Sequence, residues 1–162
     1  MVEMKVFGLA LDEDSQVPVL ILKDPDEKTV LPIWIGAMEA MAISLALNEV
    51  KLPRPMTHDL LLSSIAGLDG RVTKVEVVSL KEGTYYAEIE VDQKGTMKRI
   101  DSRPSDAIAL ALRAEAPIFV DDSVLSQVAM DAKGYKAAFK EGESEDKWTE
   151  MLEKLDETKY KM

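Results

Sequence analysis

The sequence predicts an α+β fold in two layers. A β-β-β-α unit occurs twice, over a mixed or antiparallel sheet, and a further helix ends the chain. Three observations carry that reading. Strand-like runs come in two groups of three, at 2–35 and at 71–101. Each group leads into a nearly unbroken apolar helical run, and the two runs match as "ISLAL" (43–47) and "IALAL" (108–112). Both helices carry more apolar surface than one small sheet can cover. Two sheet units sharing a core, with both helices against them, account for the pattern.

Residues 2–11 alternate weakly, and "VPVLILK" (17–23) is β-branched and leucine-rich; the acidic turn "DEDSQ" between them reads as a hairpin. "DPDEK" makes the next turn, with Pro25 presetting φ after Asp24. "TVLPIWI" (29–35) is a third strand in which Pro32 requires an edge or a bulge, and Gly36 ends it. The run 37–50 has no interior breaker and apolar residues on all sides, which predicts a mostly buried helix. A stiff loop, "KLPRPMTHD", precedes a helix from Asp59 to Ala66, ended by Gly67 and Gly70. "RVTKVEVVSL" and "TYYAEIEVD" alternate cleanly about "KEG", a hairpin with Gly83 in its turn. "TMKRID" follows as a strand, the second apolar helix spans 103–115, "PIFV" closes the sheet and "DSVLSQVAM" forms a short helix. Residues 1–130 make up the domain, and 131–162 a polar linker with an amphipathic helix. On that helix Trp148, Met151, Leu152 and Leu155 share one face, which suits docking on the core of the same molecule or, as the alternative, a partner-binding arm.

The chain has 162 residues, enough for one domain with a real core. It has no cysteine and one histidine, which excludes disulfides, thiolate metal sites and a closed structural zinc site. The start, "MVEMKVFGLALDEDS", lacks the order of a signal peptide, and no segment approaches the ~20 apolar residues of a membrane span. A cytoplasmic protein without membrane contact is the expectation. The net charge of −10 argues against a coat for nucleic acid, since phosphate backbones attract basic surfaces. It leaves room for a metal-assisted nuclease, whose site is acidic. No glycine-rich dinucleotide or P-loop motif and no G-x-S-x-G elbow is present.

Two polar knots remain. In "IDSRPSDAIALALR" (100–113), Ser102 is placed to cap a helix, Pro104 to sit in its first turn, and Ser105 and Asp106 near its positive end. Arg103 does not fit that account, because a cation beside a helix N-terminus needs an anion there. "PRPMTHDLL" (53–61) repeats the design, with Thr57 as cap, Asp59 in the first turn and Arg54 held between two prolines. Free N–H groups at a helix start bind anions, and arginine adds a planar fork suited to phosphate. If the knots meet, Arg54, Thr57, Ser102, Arg103 and Ser105 would bind phosphate. His58 would serve as general acid or base with Asp59 and Asp106. Asp101, Asp106 and Glu39 could hold Mg²⁺ or Mn²⁺, which prefer oxygen ligands.

"LPIWIGAMEAMAI", "LPRPMTHDLL", "EGTYYAEIEV" and "IDSRPSDAIALALRAEAPIFV" closely resemble the bifunctional nuclease family, bacterial and plant proteins credited with DNase and RNase activity. The likeness runs from about residue 2 to residue 130, in order and spacing. It implies a two-layer α+β fold built from a duplicated unit, a homodimer, and hydrolysis of DNA and RNA. The matching positions are Glu39, Arg54, Thr57, His58, Asp59, Asp101, Ser102, Arg103, Ser105 and Asp106. Some members end in a helical motif of excision-repair proteins. "DKWTEMLEKLDETKYKM" is not a version of it, so no repair partner is inferred.

Two functions therefore stand side by side. One is a divalent-metal-assisted phosphodiesterase of low sequence preference. The other is a non-enzymatic dimeric module that binds an anion or a protein, its knots being salt-bridged helix starts. Whether Arg103 and His58 share a cleft separates them.

Overall fold

In the computed structural model, residues 1–131 and 133–135 are described. Strands β1 (Val2–Leu11), β2 (Pro18–Lys23) and β3 (Thr29–Trp34) form an antiparallel meander that runs into helix α1 (Ala37–Leu47). Helix α2 (Thr57–Gly67) leads to a second meander, β4 (Gly70–Lys81), β5 (Thr84–Gln93) and β6 (Thr96–Ser102), and then to α3 (Pro104–Ala114). The β-β-β-α unit is indeed used twice. Strand β7 (Ile118–Val120), helix α4 (Asp122–Val128) and the two-residue strand β8 (Met130–Asp131) complete the described chain. The sequence held no signal for β8.

The two expected sheet units are one continuous sheet of eight strands, in the order β6-β5-β4-β7-β1-β2-β3-β8. The short β7 joins the meanders: it runs antiparallel to β1 and parallel to β4. Two hairpins in the second meander turn on Glu82–Gly83 and Lys94–Gly95, all four residues having positive φ. Their left-handed pair matches the twist of the flanking strands and needs glycine at the second position. Pro32 is tolerated because β8 reaches β3 only at Thr29 and Val30, which leaves a free edge beside the missing donor.

The strand alternation sorts residues between two faces. Leu20, Leu22, Leu31 and Ile33 from the first meander, and Val75, Val77, Ile89 and Val91 from the second, face the helices in one core with Ile43, Ile108 and Leu110. On the far face the halves differ. Val19, Ile21 and Val30 lie under Tyr135, whose ring meets Phe7 edge-on at 6.3 Å. The second half instead shows Lys74, Glu76, Glu88, Glu90 and Arg99, joined by ion pairs such as Arg99 Nη2 to Glu76 at 2.8 Å.

Helix α3 is the most buried, with residues 107–111 fully inside, and it is flanked by both α1 and α2. Helix α1 is less buried than its composition suggested: Met38 is 78% exposed. No described helix is long and apolar enough to cross a membrane. The amphipathic helix expected around Trp148 lies outside the described residues.

Both helix starts fall away from the expected capping residues. Helix α2 begins at Thr57, so Thr57 is its first residue and Met56 occupies the cap position, its N–H donating to Asp59 at 3.0 Å. Pro104 is the first residue of α3, which forces Arg103 into an extended conformation and makes it the cap. Ser102 ends β6, and its hydroxyl donates to the Arg103 carbonyl at 2.9 Å rather than capping the helix.

Candidate active site

Each of the three longer helices carries an acid as its third residue: Glu39 in α1, Asp59 in α2 and Asp106 in α3. The helix dipole favours a carboxylate there, and each is also held by an arginine. Arg103 Nη2 donates to Glu39 Oε1 at 2.9 Å, and Arg103 Nε donates to Asp106 Oδ2 at 2.9 Å. Asp106 Oδ1 in turn lies 2.9 Å from His58 Nε2. A chain Glu39–Arg103–Asp106–His58 thus links three helix starts that are far apart in sequence.

This answers the question raised by Arg103. The anions beside it are the protein's own, and Asp106 first, then Glu39, hold its guanidinium even further above its ordinary pKa. The side chain nonetheless stays 65% exposed, and Nη1 has no protein acceptor among the described residues. Gly36 makes the arrangement possible, since a β-carbon at that position would collide with Glu39 Oε2. Glu39, expected as a metal ligand, has a side chain 18% exposed and paired with Arg103.

A pocket of about 870 Å³ opens beside the chain. One wall is the exposed side of α2, with Thr57, His58, Leu60, Leu61 and Ser64; the other is the start of β5 and the end of β6, with Tyr85, Tyr86, Ile89, Ile100, Asp101 and Ser102. Arg103 and Asp106 close one end. Burial raises the Tyr85 phenol above its ordinary pKa. His58 is nearly enclosed, 11% exposed, with Asp106 at 29%. Asp106 holds the imidazole through Nε2, and Nδ1 has no protein partner among the described residues. A carboxylate that orients an imidazole and stabilises its cation is the arrangement general-base catalysis requires.

Other expected residues lie elsewhere. Arg54 is exposed, lines no part of the pocket and pairs with no described residue. Asp59 turns from His58 to Arg113, accepting from its Nε at 2.8 Å. Ser105 is 6% exposed and outside the pocket wall. The structure adds Arg113, which the sequence reading passed over. Its guanidinium also donates to the Ala109 and Ala42 carbonyls at 2.8 and 3.0 Å, tying α1, α2 and α3 together. The signal was one cation in the last turn, directly after the apolar run 107–112.

The carboxylates expected to take Mg²⁺ or Mn²⁺ do not form such a site as they stand. Glu39 and Asp106 converge on a guanidinium, and among the described residues no group of three His, Asp or Glu is placed to hold a metal.

The fold and pocket define a duplicated α+β protein with a linked carboxylate–arginine–histidine cluster where three helix starts meet. A profile of the bifunctional nuclease domain matches residues 20–133, and the chain belongs to that family. It is 41% identical over 128 residues to an uncharacterised protein of Mycobacterium tuberculosis, covering 79% of this chain and 76% of that one. It is 28% identical over 121 residues to bifunctional nuclease 2 of rice, Oryza sativa subsp. japonica, covering 72% and 37%. Bifunctional nuclease 1 of Arabidopsis thaliana is 28% identical over 118 residues, covering 70% and 36%. The chain therefore spans little more than a third of these plant relatives.

Proposed function

We propose that this protein hydrolyses phosphodiester bonds of DNA and RNA, with low sequence preference, in the pocket between α2 and the start of α3. The observation that carries the reading is the His58–Asp106 pair at 2.9 Å, braced by Arg103 at the end of a cleft. His58 Nδ1 takes a proton from water as the water oxygen attacks phosphorus, and Asp106 stabilises the imidazolium. The bridging P–O bond breaks, and the departing oxygen receives a proton. Arg103 Nη1 donates to a non-bridging oxygen, with the Thr57 and Ser102 hydroxyls on the same pocket. Family membership supports nucleic acid as the substrate.

One observation favours the second reading, a non-enzymatic dimeric anion- or protein-binding module: Arg103 is already paired to two carboxylates. The deciding experiment is a cleavage assay of rigorously purified protein in Mg²⁺, Mn²⁺ or EDTA, beside His58→Ala with unchanged melting temperature. General acid–base groups contribute about 10²–10⁴-fold, so the reading expects at least a hundredfold loss. Cleavage that ignores the substitution would come from a contaminant. The EDTA arm reports on a divalent ion, and light scattering on the homodimer that the family resemblance implies.

A further inference from the structure

We infer that the substrate class of this pocket is single-stranded nucleic acid, one unpaired base lying against Tyr85 while its phosphate meets Arg103. The inference rests on the phosphodiester reading and narrows it.

The argument starts from charge. Polyanions are usually held by cations and counterion release. Here the chain carries −10, and the cation facing the pocket is shared between Glu39 and Asp106, with Asp101 on the same wall. Phosphate attraction is largely offset, so affinity must come from the uncharged part of a nucleotide.

The pocket offers a surface for that part. Leu60, Leu61, Ile89 and Ile100 line it together with Tyr85. Ile100 and Leu60 are 45 and 56% exposed, so two of the protein's large exposed apolar residues gather on one cleft. Concentrated apolar exposure of this kind marks a binding surface. About 870 Å³ is within the range of pockets that enclose a small organic ligand. A base in a duplex has both faces stacked and its edge paired, and must be extruded before it can enter. A base that is already unpaired pays no such cost. Ring faces accept every base, which accounts for low sequence preference.

The test is fluorescence anisotropy with labelled phosphorothioate strands, which keep their charge and resist cleavage. The probes are a short oligothymidylate, an abasic strand of equal length and a hairpin duplex. The oligothymidylate should bind about tenfold more tightly than the other two, the lower range expected for base–aromatic stacking. Tyr85→Ala should erase that difference and Tyr85→Phe should keep it, while Arg103→Ala weakens all three probes in parallel. Equal binding of all three probes, still lowered by Arg103→Ala, overturns the base seat and leaves the phosphodiester reading intact. Failure to bind any probe overturns both.

Discussion

The first and second β-β-β-α units place the same elements in the same order, but their helices open on different residues. Helix α1 is capped by Gly36 and carries Glu39 as its third residue; α3 is capped by Arg103 and carries Asp106 there. The acid is kept in both halves and the cation appears in one, so a single guanidinium spans both carboxylates. The sheet faces diverge in the same way. Residues facing the shared core are aliphatic in both halves, whereas the far face is apolar under Tyr135 in the first and charged in the second. Duplication conserved what the core requires. The Glu39–Arg103–Asp106–His58 chain lies where the two copies meet and their equivalence is broken.

The sharpest way to break this comparison is to remove the charge that only the second unit connects to His58. Asp106→Asn keeps the shape but withdraws the negative charge from both His58 and Arg103. Cleavage should fall by about 10²-fold or more, and an unchanged kcat/KM would remove Asp106 from the mechanism. Next comes Arg113, 10% exposed and hydrogen-bonded to all three helices. Arg113→Ala should cost about 2 kcal/mol in a denaturant titration, near the range for charged hydrogen bonds, because Asp59 stays partly in water. Gly36→Ala comes third. It evicts the Glu39 carboxylate from its seat, lowering stability by about 1 kcal/mol, an ordinary cost for one substitution. Arg103 should then shift toward Asp106 alone, visible in the guanidinium NMR signals; an unmoved signal would mean that Gly36 is replaceable.

The smallest effects separate the halves by pH. In the first, the Trp34 indole N–H donates to Asp12 and holds that carboxyl below its usual range. This contribution is present above the unfolded carboxyl pKa of about 3.9 and lost as pH falls through the folded value. Trp34→Phe should therefore flatten the acid limb of the stability curve. In the second half, burial raises the Tyr85 phenol. Its contribution is full below about pH 10 and lost as pH rises through the folded value. Tyr85→Phe should flatten the alkaline limb and leave the acid limb alone.

Most of the architecture was legible because the core forces period-two alternation onto the strands, and because "ISLAL" and "IALAL" survive as copies. Helix boundaries slipped by one or two residues, since Pro104 sets the phase of α3 while serine and threonine look like better caps. The meeting of His58 and Arg103 follows from two knots of the same composition. Their partners do not, because Glu39 lies 64 positions from Arg103 and only the three-dimensional packing brings them together. Arg54 and Arg103 look alike in sequence. One projects from a stiff exposed loop, the other caps a buried helix. Arg113 was passed over because its value comes from backbone carbonyls, which no side-chain pattern reveals.

The three residues of β7 have a consequence for how the molecule is made. Ile118 and Val120 bridge Val2 and Met4 on one side to Val75 and Val77 on the other. During synthesis the earlier strands emerge first, yet the sheet cannot close until residue 120 has cleared the ribosome. Until then each meander exposes an unpaired edge, so the nascent chain passes through a window in which aggregation competes with closure.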